Sequence, residues 1–132
     1  MKKQGVLNAQ LSGYIAALGH MDTFLIGDAG MPVPPGVPIV DLAVCGGVPA
    51  FTQVLDTILQ EAEIEQYTVA DELAQDSPLL AHIRAQLPHA AEASVPHSEL
   101  KALSAKARFA VRTGEFTPYA NVILRAGVAF HG

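Results

Sequence analysis

The stretch Leu18-Gly19-His20-Met21-Asp22-Thr23-Phe24-Leu25-Ile26-Gly27-Asp28-Ala29-Gly30-Met31-Pro32 does most to limit what this chain can fold into. Thr23 to Ile26 is a short apolar run rich in β-formers, and Gly30 and Pro32 stop it, so it reads as a buried strand. Polar groups gather at both ends of that strand. His20 suits acid/base work near neutral pH, because its unperturbed pKa is about 6.5. Asp28 at the far end offers a carboxylate to a hydroxyl-rich ligand. A satisfied surface pair is the bland alternative for any His-x-Asp at a strand edge.

Around this strand the chain reads as α/β. Asn8 is placed to cap a helix to about Leu18, with Leu11, Ile15 and Leu18 on one face and Gly19 as its left-handed terminator. Met31 to Pro38 holds Pro32, Pro34, Pro35 and Pro38, which makes a stiff extended loop. Ile39 to Val44 reads as a second strand, buried on both faces. Gly46-Gly47 breaks it without any phosphate-loop motif around it. Phe51, Val54, Leu55, Ile58 and Leu59 form the stripe of a core-facing helix near Pro49 to Gln60. Glu63 to Val69 is a third strand.

Asp76-Ser77-Pro78 starts a further helix, whose buried face is Leu79, Leu80, Ile83 and Leu87 and which Pro88 ends. His82 falls off that stripe and reads as solvated. His89 lies in the following turn, and His131 in the C-terminal tail. Ala93 to Val95 is a short strand, and Ser98 a candidate cap for a short helix carrying Leu100 and Leu103. His97, just before it, meets a helix N-terminus, which favours the neutral ring that both donates and accepts. Arg108 to Arg112 and Val122 to Leu124 complete the strands. In an extended segment Tyr119 and Asn121 point to one side, a phenol and an amide of the kind that recognise a small polyol.

Composition narrows the function classes. The chain has 132 residues, half of them apolar and only 16% charged. That is enough for one domain with a real core, with apolar surface left over that self-association would cover. A net charge of -5 disfavours a nucleic-acid partner. No apolar run approaches the ~18 residues of a membrane span, and the basic Met1-Lys2-Lys3 start lacks the apolar stretch of a secretory signal. The single cysteine, Cys45, fits a reducing cytoplasm and reads as a small buried strand residue. His20 and Asp22 share a face as a metal pair would, but no third histidine lies near them in sequence, so no metal is expected.

Taken together, Gly19-His20-Met21-Asp22 with Asp28-Ala29-Gly30-Met31-Pro32, Gly47-Val48-Pro49 before the main helix, and Pro118-Tyr119-Ala120-Asn121 near the end resemble the family of ribose pyranases and fucose mutarotases. The resemblance covers nearly the whole chain, and the two outer motifs in this order carry its specificity. It implies a single-domain mixed β-sheet flanked by helices, assembled in the cytoplasm into a ring-based homo-oligomer, commonly a decamer. It implies conversion of D-ribose between pyranose and furanose forms without a cofactor. Carried over by residue, His20 matches the proton donor, and Asp28, His97 and the segment Tyr119, Ala120 and Asn121 match sugar-binding positions. Asp-Ala-Gly and Pro-Tyr-Ala-Asn look like the ribose branch rather than the fucose branch.

His20 and Asp28 are eight residues apart, up to about 26 Å along one extended strand at ~3.3 Å per residue. Both reach one sugar only if the chain bends or if facing subunits share the site, and a site at a subunit interface is the expectation. Mutarotation of another sugar such as L-fucose, or a sugar-binding accessory role without turnover, are the alternatives at this point.

Overall fold

The computed structural model describes residues 1–130. Six strands form one mixed sheet: β1 (Thr23–Gly27), β2 (Ile39–Asp41), β3 (Ile64–Ala70), β4 (Ala91–Val95), β5 (Ala110–Arg112) and β6 (Val122–Ala126). They lie in the order β2-β5-β1-β6-β3-β4. β1 runs parallel to β5 and antiparallel to β6, β6 is antiparallel to β3, and the outer pairs β2–β5 and β3–β4 are parallel. β1 is therefore an inner strand, paired on both sides, and Phe24, Leu25 and Ile26 are almost wholly buried.

The alternation of side chains along β1 explains the layers. Phe24 and Ile26 face a large core with helices α1 (Ala9–Ala16), α2 (Phe51–Leu59) and α3 (Pro78–Gln86), through Leu11, Ile15, Phe51, Leu55, Ile58, Leu80 and Ile83. Phe109 stacks between Phe24 and Tyr14, with ring centroids 4.9 and 5.1 Å away. Leu25 faces the other way, into a smaller cluster with Ile123, Ala110, Met31 and Leu100 of α4 (His97–Leu103). The mixed sheet with helices on both faces is the architecture expected from the sequence.

Local signals were kept where the chemistry is local. Asn8 accepts from the Leu11 N–H at 2.9 Å, and Ser77 caps α3 ahead of Pro78. Elsewhere tertiary context overrides the expectation. α1 stops at Ala16, and Gly19 is not its left-handed terminator; Met21 takes the positive φ, at 74°. β2 is only three residues long and lies at the sheet edge with Ile39 half exposed, so it is not buried on both faces. Cys45 is exposed, on a turn where Cys45 and Val48 bridge across Gly46-Gly47. His82 is not simply solvated: its Nε2 lies 2.7 Å from Asp56 Oδ1, linking α3 to α2. α4 begins at His97 with Pro96 as its N-cap, so Ser98 lies inside the helix. His131 falls outside the described residues.

Candidate functional site

The C-terminal end of β1 delivers Asp28 into a dense web of bonds. Asn121, only 2% exposed, accepts from the Asp28 N–H through Oδ1 at 2.8 Å and donates from Nδ2 to Asp28 Oδ2 at 3.1 Å. Asp28 Oδ1 accepts the Gly30 N–H at 3.0 Å, closing the turn after the strand. Each carboxylate oxygen keeps a further lone pair for a ligand. Arg112 donates to the Ala29 carbonyl at 3.0 Å, and the Ala29 N–H donates to the Glu115 carbonyl at 2.9 Å. A Cβ on Gly27 would come 3.1 Å from Asn121 Oδ1 and 3.0 Å from Met31 Cβ, so glycine here lets the amide close on Asp28.

Tyr119 and His97 sit beside this web as a second pair. Their rings meet edge to face with centroids 5.1 Å apart. Tyr119 holds a left-handed backbone, φ 61°, in the turn before β6, while Ala120 is fully buried and Asn121 turned inward. The segment is thus a turn rather than an extended strand, and Tyr119 and Asn121 do not simply share a face. The turn sends the amide to Asp28 and leaves the phenol beside His97. Glu72 fixes the His97 backbone, accepting its N–H at 2.9 Å, while His97 Nδ1 is buried without a hydrogen-bond partner.

His20 stands at the opposite end of β1. The five-residue strand alone holds the two ends roughly 13 Å apart at ~3.3 Å per residue. The Met21 N–H donates to the Ala126 carbonyl at 2.9 Å, and the Ala126 N–H donates to the Asp22 carbonyl at 2.8 Å, which fixes the chain leading into β1. Asp22 Oδ2 accepts the Gly19 N–H, and that bond, together with Arg108, outweighs desolvation and holds its carboxyl below the usual range. The His20 ring is half exposed and its Nε2 lies 2.7 Å from Glu65 Oε1, while Arg125 Nη2 stands 3.3 Å from Glu65 Oε2. His20 also lines a hollow of about 360 Å³ with Leu18, Glu63, Gly127 and Phe130.

The fold therefore gathers Asp28, His97, Tyr119 and Asn121 at one end of β1 and leaves His20 at the other. Sequence reasoning missed Glu65, Arg125, Glu72 and Arg112. The one available signal was a charged residue inside an otherwise strand-forming run, as Glu65 is. Among the described residues no cluster of three metal-ligating side chains occurs, and no helix is long and apolar enough to cross a membrane.

Comparison with known proteins places this arrangement. The chain is 51% identical to the D-ribose pyranase 2 of Streptomyces griseus over 131 residues, covering 98% of this chain and 100% of that relative. It superposes on the structure of Bacillus subtilis RbsD complexed with D-ribose with a TM-score of 0.93, at 40% identity, over 98% of this chain and 100% of that one. The fucose mutarotase of Streptococcus pneumoniae, solved in complex with L-fucose, shares the fold at a TM-score of 0.81 but only 22% identity, covering 98% of this chain and 100% of that one. The family model described as the RbsD / FucU transport protein family matches residues 1–129, and the chain belongs to that family.

Proposed function

We propose that this protein is a D-ribose pyranase, an enzyme that interconverts the pyranose and furanose forms of D-ribose. The observation that carries the reading is likeness over full length: 51% identity to a D-ribose pyranase, from end to end of that relative. The TM-score of 0.93 to a chain solved with D-ribose supports the same substrate, whereas the fucose-binding relative is distant.

The chemistry asks for little more than proton transfer. Opening the six-membered ring requires a proton on the ring oxygen and loss of one from the anomeric hydroxyl; reclosing through another hydroxyl reverses those roles. His20 is the proton donor in this reading, worth about 10²–10⁴-fold. Asp28, His97, Tyr119, the Ala120 backbone and Asn121 hold the sugar. Such a relay uses no cofactor or metal. Because His20 and Asp28 lie at opposite ends of one strand, each working site joins His20 of one subunit to the Asp28 cluster of another, in a homo-oligomer that we read, from the family resemblance, as a decamer of the cytoplasm.

Magnetisation-exchange NMR on D-ribose tests this, with wild type and His20→Ala compared at equal concentration and L-fucose as a second sugar. Accelerated pyranose–furanose exchange of ribose, lost in the variant, is the expected result. Ribose binding with exchange at the buffer rate would instead make the protein a sugar-binding accessory. Acceleration confined to fucose would move the substrate.

A further inference from the structure

β3 and β6 pair in antiparallel register with one irregularity. Ile64 stands opposite Ala126 and Gln66 opposite Arg125, so Glu65 is an extra residue between them. A bulge of this kind bends the strand locally and re-aims the side chain it carries. Here the side chain is aimed at His20: Glu65 Oε1 comes to 2.7 Å of His20 Nε2. On its other side Arg125 Nη2, from the strand next door, stands 3.3 Å from Glu65 Oε2. Gly127 keeps the space clear, since a Cβ there would lie 3.2 Å from Glu65 Cβ.

Two further facts separate this carboxylate from an ordinary surface ion pair. Oε1 is buried, and among the described residues no donor besides the His20 ring reaches it; the contact is close but off the line of a formed hydrogen bond. Catalytic hydrogen bonds commonly tighten only with substrate in place. The chain at His20 is fixed by backbone bonds on its C-terminal side, through Met21 and Asp22 to Ala126, and among the described residues the polar side chain that meets the ring is Glu65.

We propose that Glu65 is a positioning residue for His20: it takes the Nε2–H, so that Nδ1 is the nitrogen left to exchange protons with the sugar. A carboxylate behind a histidine sets its tautomer and orientation and stabilises the ring when it is protonated, without itself gaining the proton. Arg125 holds the other carboxylate oxygen and so keeps Glu65 turned toward the ring. The inference rests on the reading of His20 as proton donor.

The test uses the full-length assembled protein with Glu65→Gln and Glu65→Asp, beside His20→Ala. In Glu65→Gln, kcat for ribose exchange is expected to fall at least about tenfold with KM unchanged. Glu65→Asp, which keeps the charge, is expected to recover part of that loss, and it reads the same contact should Glu65→Gln fail to assemble. In protein labelled with ¹⁵N-histidine, a ring N–H signal protected from water is expected in wild type and absent from both Glu65→Gln and His20→Ala. Unchanged kcat, a change in KM alone, or Asp and Gln variants of equal activity would each overturn the proposal. Failure of the underlying reading looks different: His20→Ala itself would then exchange ribose as fast as wild type.

Discussion

At its C-terminal end β1 runs into buried, mutually bonded groups, whereas at its N-terminal end it starts from half-exposed charges. Asn121 is 2% exposed and bonds Asp28 twice; the His20 side chain is 53% exposed and meets a single carboxylate. The first arrangement is preorganised within one chain and suits holding a flexible sugar in a fixed place. The second is held by backbone on one side and open on the other, as a group is that completes its surroundings against a neighbour. Backbone strain marks both places alike. Met21 and Tyr119 are the non-glycine residues with positive φ among those described, and they flank the two ends in question. A left-handed non-glycine residue costs of order 1–3 kcal/mol and persists where the surroundings over-determine it.

The sharpest way to break the comparison is to separate the two ends genetically. His20→Ala and Asp28→Ala subunits, each inactive alone, are expected to regain ribose exchange when unfolded together and reassembled. Random mixing would restore roughly a quarter of the sites if each draws on two subunits. Exchange that stays at the buffer rate in the mixed assembly would put the whole site within one chain, and a fully active monomer would do the same.

Stability should divide the ends next. Asn121→Ala leaves the half-buried Asp28 N–H without its acceptor and is expected to cost about 1–3 kcal/mol in denaturant unfolding. His20→Ala is expected to cost almost nothing in the same measurement, because its ring is half solvated. Equal losses from the two substitutions would erase the distinction between a bonded end and an open one.

The smallest effect concerns acid. Burial pushes the Glu115 carboxyl up, but N–H donors from Phe51 and Thr117 and the Thr117 hydroxyl outweigh it, and the net direction is down from 4.5. A depressed folded value means that this contribution is complete above about pH 4.5 and is lost as the pH falls through the folded value. Glu115 also accepts the first N–H of α2, at 3.0 Å, and its backbone carbonyl holds Ala29 beside Asp28. Glu115→Gln is therefore expected to flatten acid-induced unfolding below pH 4.5. A steeper acid slope in Glu115→Gln would contradict the sign.

What the sequence made legible follows the range of each interaction. Asn8 and Ser77 cap their helices through bonds to residues two or three positions on, so their roles can be read from neighbours. The stripe of Phe51, Val54, Leu55 and Ile58 is equally local and is buried as expected. Asp28 was read as a polar strand end and Asn121 as one of a phenol–amide pair, and the family resemblance added their sugar-binding role, but nothing in their spacing announced that they bond each other across 93 positions. The roles of Glu65 and Arg112 were hidden for the same reason, each acting on a residue brought close only by the sheet. Cys45 and β2 were misjudged because apolar sequence alone does not reveal that a strand lies at an edge. The positive φ fell to Met21 rather than Gly19 because sheet pairing, through Ala126, decides where that connection turns.

The placement of His20 and Asp28 beyond the two ends of one inner strand also turns β1 into a ruler. It sets the distance between the His20 end and the Asp28 cluster, so a change in its length would be felt at both ends at once. A residue inserted at the exposed Pro35–Gly36 turn would be absorbed locally, but one inserted within β1 would send alternate side chains to the wrong face and shift both ends. In a library of single-residue insertions selected for growth on ribose, survivors should accumulate at that turn and vanish between Thr23 and Gly27. Lineages of this fold would then vary their loops freely while inheriting the strand at a fixed length.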